Sequence, residues 1–110
     1  MGRESPWTST NSPNGLALKA PDGKSNREAV LTPQCLRDLE YWTRTKPKRA
    51  RRVFKLVRST LRDPFDGLGK PEPLRGEFAG SWSRRIDGEH RLIYQVAATR
   101  VYFLSARDHY

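Results

Sequence analysis

The stretch WSRRIDGEHRLIYQV, residues 82–96, alternates twice. Trp82, Arg84 and Ile86 interleave with Ser83 and Arg85; past Asp87-Gly88, Leu92, Tyr94 and Val96 interleave with Arg91, Ile93 and Gln95. Period-two alternation marks a half-buried strand, so the stretch is predicted to be a hairpin. Its loop length sets the register. A two-residue Asp87-Gly88 turn would pair Ile86 with Glu89 and put Trp82 and Ile86 on the face opposite Leu92 and Tyr94. A three-residue loop, Asp87 to Glu89 with glycine absorbing the bulge, gathers Trp82, Ile86, Leu92, Tyr94 and Val96 on one face. The apolar pattern selects the second. It sets Arg85 beside Arg91 on the other face, an unfavourable pairing of like charges unless something anionic lies between them.

Downstream, Val101 to Ala106 reads as a further strand. Upstream lies a loop, FDGLGKPEPLRGEFAG at 65–80, entered through Asp63-Pro64, which stops a helix because the residue before proline avoids the helical region. That helix opens at Pro47 and carries Ala50, Val53, Phe54, Val57 and Leu61 as its apolar stripe. An earlier helix, from Thr32-Pro33 to about Thr43, has threonine as N-cap and proline at its first position. It buries Cys35 or Leu36 with Leu39 and Trp42. Glu28 to Leu31 reads as a short strand. The fold class expected is α+β, with two N-terminal helices packed on one face of a small antiparallel sheet. Residues 1–26, rich in Ser, Pro, Gly and Asn and without periodicity, read as a disordered extension, leaving 27–110 as the folded domain.

Composition narrows the function. Among 110 residues, 21 Lys and Arg face 12 Asp and Glu, a net charge of +9 that makes a polyanion the first partner to consider. Only 35% of residues are hydrophobic, and no apolar run approaches the roughly 18 needed to span a bilayer, so no membrane partner is expected. The N-terminus lacks the apolar run of a signal peptide, and Cys35 is the single cysteine, so a disulfide framework is excluded and a reducing cytoplasm is the expected location. Zinc sites built on Cys and His fail as well, since His90 and His109 are the two histidines. The helix from Pro47 presents Lys46, Lys48, Arg49, Arg51, Arg52, Lys55, Arg58 and Arg62 away from its apolar stripe, with no acid between Thr43 and Leu61. Such a face is ordinarily solvated; the lack of compensating acids turns the reading toward nucleic acid.

The groups able to move protons near neutral pH are the two histidines and a perturbed carboxylate. His90 falls on the apolar face of the hairpin and is assigned to structure. His109, one residue from the end, reads by itself as an exposed terminal side chain. The segment DGLGKPEPL is no phosphate-binding P-loop, because Lys70 is followed by Pro71 instead of Ser or Thr. Its two prolines stiffen the chain around Glu72, which on composition alone is a solvated loop acid.

Taken together, DPFDGLGKPEPL at 63–74, GSWSRRIDGEHRLIY at 80–94 and ARDHY at 106–110 resemble the YoeB-type toxins of the RelE/ParE superfamily. The resemblance covers Glu28 to Tyr110. It implies a RelE-like fold and a ribosome-dependent endoribonuclease that cuts messenger RNA in the ribosomal A site and is held inactive by a YefM-type antitoxin. Operator DNA would be reached only through the antitoxin complex. Carried over residue by residue, the catalytic glutamate falls on Glu72, the catalytic arginine on Arg91, the terminal pair on His109 and Tyr110, and a supporting arginine on Arg85. Arg75 stands where relatives commonly have lysine, which exchanges a point charge for a forked guanidinium.

The chemistry such residues serve needs no metal and no cofactor. A base removes the 2′-hydroxyl proton, the oxygen attacks the adjacent phosphorus, an acid protonates the departing 5′-oxygen, and cations offset charge on the phosphoryl oxygens. The resemblance assigns Glu72 as base, His109 as acid, Arg91 as main phosphate stabiliser with Arg85 beside it, and Tyr110 to orient substrate. Base and acid could exchange roles. Lys48, Arg49, Arg51, Arg52 and Lys55 are expected to hold ribosomal RNA phosphates. Three other classes compete: a non-catalytic binding module on the same fold, an RNase that needs no ribosome, and a purely structural basic ribosomal protein, which the compact charged face opposite the helices disfavours.

Overall fold

A threonine side chain sets where the first helix begins. Thr32 is extended, and its Oγ1 accepts the backbone N–H of Cys35 at 3.1 Å, with Pro33 at the first helical position. The computed structural model describes residues 27–107. The extension at 1–26 and the terminal pair His109 and Tyr110 lie outside the described residues. In chain order the elements are β1 (Glu28–Leu31), α1 (Pro33–Thr45), α2 (Pro47–Arg62), β2 (Glu72–Pro73), a 3-10 turn at Gly76–Phe78, β3 (Trp82–Arg85), β4 (Arg91–Val96) and β5 (Arg100–Ser105).

The five strands form one sheet in the order β1-β5-β4-β3-β2. The expected antiparallel sheet is in fact mixed. β2, β3, β4 and β5 pair antiparallel in succession, whereas β1 runs parallel to β5, with Ala29 opposite Val101 and Leu31 opposite Phe103. The helical pair separates β1 from the rest of the sheet, and a crossover of that kind is what a parallel partner requires. A second correction concerns β2, which falls inside the expected loop. Glu72 pairs with Ser83 and Pro73 with Trp82 at the outer edge of the sheet, where proline's missing donor removes no ladder bond on the solvent side.

The hairpin has the register expected of a three-residue loop. Arg85 is opposite Arg91, Arg84 opposite Leu92 and Trp82 opposite Tyr94, and Ile86 N–H donates to His90 O at 2.9 Å. Both helices cover the face carrying Leu92, Tyr94, Val101 and Phe103, all of them fully buried. From α1 the core takes Cys35, Leu39 and Trp42, which settles the choice between Cys35 and Leu36; Leu36 is 49% exposed. Burial, with Asp38 nearby, pushes the Cys35 thiol up to about 12, so it is a packing group with no thiolate to offer. From α2 the core takes Ala50, Val53 and Leu56, with the hydroxyl of Thr60 bonded back to Leu56 O. The stripe is turned from the one expected: Leu56 is inside, while Phe54 is 53% exposed. Residues 50, 53, 56 and 60 follow the three-to-four spacing as well as the expected set does, and the sheet below selects between them.

Candidate active site

On the sheet face away from the helices, the register brings three expected site residues together. Glu72 lies across from Ser83 on β3, and Arg85 at the end of the same strand lies across from Arg91 on β4. Side chains two apart on one strand, and directly opposite on the next, share a face. Glu72 Oε1 stands 3.9 Å from Arg91 Nη1, the glutamate half exposed and the arginine more covered. Of the two like charges at 85 and 91, Arg91 therefore has a carboxylate beside it. Ser83, in the same row, is fully buried and its Oγ has no hydrogen-bond partner.

The loop before β2 is fixed by a residue that sequence reasoning passed over. Arg84 points into the core face and is fully buried. Its Nη2 donates to Asp63 O at 2.7 Å and Asp66 O at 2.9 Å, its Nη1 to Leu68 O and Ser59 Oγ at 2.9 Å, and its Nε to Tyr94 Oη at 3.1 Å. Tyr94 in turn donates to Pro64 O at 2.7 Å, and burial raises its phenol above the ordinary range, keeping it a donor. One guanidinium thus ties the end of α2 and residues 63–68 to the centre of the sheet. The loop then closes on β3, where Arg85 N–H donates to Gly69 O at 2.8 Å. Gly69 has φ +85, and a Cβ there would come within 2.7 Å of Leu56 Cδ2, so both conformation and close approach call for glycine. The signal for Arg84 was its phase, a charge alternating in step with Trp82 and Ile86. Arg84→Ala would leave several carbonyls without a donor, and its stability is expected to fall by about 3 kcal/mol or more in urea unfolding.

The basic face of α2 divides. Lys48, Arg51 and Lys55 are exposed. Arg49 and Arg52 are engaged within the chain: Arg49 Nε meets Asp87 Oδ2 at 2.5 Å, and Arg52 Nη2 donates to Arg85 O at 3.1 Å. Both reach the hairpin that holds Arg85 and Arg91. Burial opposes charge on Asp87, but the Arg49 guanidinium and the N–H groups of His90 and Glu89 outweigh it and draw the carboxyl down to about 2. Arg75 is exposed at the head of the 3-10 turn. His90 fulfils its structural assignment. Its ring packs edge-on against Trp42 at 4.9 Å between centroids, and its Nδ1 bonds Arg107 O.

Residues 31–110 match the family of YoeB-like toxins of bacterial type II toxin-antitoxin systems. The chain is 48% identical over 84 residues to Toxin YoeB of Mycobacterium bovis and to Toxin RelK of Mycobacterium tuberculosis, alignments that span 76% of this chain and 99% of each relative. Among solved structures, a YoeB/ParE toxin from Agrobacterium tumefaciens is 44% identical with a TM-score of 0.73, over 76% of this chain and 99% of that one. A YoeB-YefM complex from Staphylococcus aureus has a chain 32% identical with a TM-score of 0.69, over 78% of this chain and 100% of that one. A small mixed sheet under two helices is the fold this chain shares with those toxins. The chain belongs to the YoeB-like toxin family.

Proposed function

We propose that this toxin is a ribosome-dependent, metal-independent endoribonuclease that cleaves messenger RNA in the A site and so stops translation. The observation that carries the reading is the placement of Glu72 3.9 Å from Arg91, with Arg85 directly across the strand pair. A base must sit where the 2′-hydroxyl proton leaves, and cations where phosphoryl charge gathers. Glu72 and Arg91 meet that demand as neighbours. A phosphodiester entering the face places its anionic oxygens between Arg85 and Arg91, which removes the like-charge conflict the register creates. His109 protonates the 5′-oxygen, Tyr110 orients the substrate, and Arg75 receives a flanking phosphate. The products are a 2′,3′-cyclic phosphate and a 5′-hydroxyl.

The exposed cations Lys48, Arg51 and Lys55 are the ribosomal RNA contacts of the proposal. Arg49 and Arg52 act mainly through the hairpin they hold. Charge reversal at Arg51 and Lys55 is expected to weaken ribosome binding and to flatten its salt dependence by roughly one unit of slope per lost phosphate contact. Unchanged affinity and slope would make that face merely solvated. In the cell the partner that restrains the toxin is a YefM-type antitoxin, consistent with the Staphylococcus aureus complex of that name, and operator DNA is reached only through it. A basic toxin surface suits an acidic, apolar segment that folds on binding.

The reading is tested by primer extension on a short message in cell-free translation, with and without ribosomes, comparing wild type with His109→Ala. Cuts confined to the A-site codon, dependent on ribosomes and lost in the variant, are expected. Cleavage of naked RNA would instead make the toxin a free-standing RNase, and no cleavage under either condition would make it a binding module.

A further inference from the structure

Where β5 ends, the chain is gripped by side chains. Ala106 is fully buried, and both of its backbone polar groups are bonded to α1: its N–H donates to Asp38 Oδ2 at 2.8 Å and its C=O accepts the Trp42 indole N–H at 2.7 Å. At the next residue, Arg107 O bonds His90 Nδ1, and the Arg107 guanidinium lies 3.5 Å from the centre of the Tyr41 ring. Asp38 is itself 3% exposed and is held by Gln34 Nε2 at 2.8 Å. Four side chains from two separate elements thus converge on two consecutive residues.

Closing the core does not call for this. β5 is already paired on both sides, by β1 and β4, and its Val101 and Phe103 are fully buried. Backbone groups at 106 could be satisfied by another residue of strand, without a buried carboxylate whose desolvation is costly. Chain ends ordinarily fray unless tied down. Here the tie falls three and two residues ahead of His109, a span of at most roughly 10 Å of extended chain.

We propose that Asp38, Trp42 and His90 are positioning residues that fix Ala106 and Arg107 so that the terminal His109 and Tyr110 are delivered to the scissile phosphate. This rests on the role given to His109 above. Misplacement by about 1 Å can cost on the order of 100-fold in rate, so the clamp acts on the chemical step and leaves ribosome affinity alone.

The experiment is single-turnover cleavage on programmed ribosomes with the full-length toxin, alongside ribosome binding and thermal melting. Trp42→Phe keeps a ring and loses the donor; Asp38→Leu keeps volume and loses the acceptor; Asp38→Asn keeps an acceptor. Trp42→Phe and Asp38→Leu are expected to lower the rate about 10- to 100-fold with affinity unchanged, and Asp38→Asn to restore most of it. In a His109→Ala background, Trp42→Phe should cost nothing further, because a positioning residue acts through the group it positions. Equal losses in both backgrounds, or wild-type rate in a folded Trp42→Phe protein, would overturn the proposal. If Asp38→Leu melts below assay temperature, Trp42→Phe decides alone. A fully active His109→Ala enzyme would overturn both this inference and the role of His109, whereas an inactive one with an unaffected Trp42→Phe overturns the clamp only.

Discussion

Arg91→Ala is expected to cut the single-turnover rate of messenger RNA cleavage by about 100- to 1000-fold, with the fold intact. The two halves of that expectation have separate grounds. Loss of rate follows from the assignment of Arg91 to the charge that gathers on the phosphoryl oxygens, which a preorganised guanidinium offsets without reorganisation. Arg85 remains and supplies part of the field, so a residue of activity survives. Retention of the fold follows from how little Arg91 holds in place. Its ion pair with Glu72 is long, at 3.9 Å, and involves a half-exposed carboxylate, an arrangement worth about 0–1 kcal/mol. β4 is paired through its backbone to β3 and β5, and the substitution also removes a like charge opposite Arg85. A melted circular dichroism spectrum for Arg91→Ala would refute the second half; near-normal cleavage by a folded variant would remove Arg91 from the site.

How much of this was legible without coordinates can be judged residue by residue. The Arg85–Arg91 juxtaposition was, because a period-two pattern allows one register that keeps the apolar residues together, and that register fixes the loop at three residues. Glu72 was legible only through resemblance. Its two-residue strand contains a proline and has no alternation to announce it, and its approach to Arg91 is a long-range consequence of β2 joining β3. The parallel direction of β1 left no local trace, since four residues with a crossover behind them read alike in either sense. Phe54 was counted in the apolar stripe and Leu56 was not, because a helix with apolar residues at 50, 53, 54, 56 and 57 has two overlapping stripes, and only the sheet chooses. Arg84 obeyed the core phase, but the sequence around it marks no partner for a buried charge. Three of the groups that satisfy it are carbonyls of residues 63–68, in a loop whose sequence says nothing of where its carbonyls point. Arg49 was read with the phosphate-facing cations of its helix, and its pairing with Asp87, 38 positions away, left no local trace. In each case the missed information is tertiary: a direction, a choice between faces, or a partner across the fold.

Glu72→Gln is the substitution with the largest expected effect, a loss of about 100- to 10,000-fold in single-turnover cleavage. Glutamine keeps the size and hydrogen-bonding reach of glutamate but cannot accept the 2′-hydroxyl proton. The loss should therefore appear in the chemical step, with ribosome affinity and melting temperature near wild type. Stability is spared because Glu72 is about half exposed on a two-residue edge strand, and its pairing with Ser83 is a backbone matter. The variant also separates two roles that proximity to Arg91 confounds. If Glu72 served only to orient Arg91, the amide could still accept a guanidinium hydrogen bond and the loss would be modest, near tenfold. If it is the base, no orientation compensates, and the rate is limited by attack of an unactivated hydroxyl. Cleavage at the wild-type rate would take the base role from Glu72 and pass it to a neutral His109. His109→Ala would then abolish the attack itself, and Glu72 would have no part in the chemical step, since even a role confined to orienting Arg91 costs about tenfold.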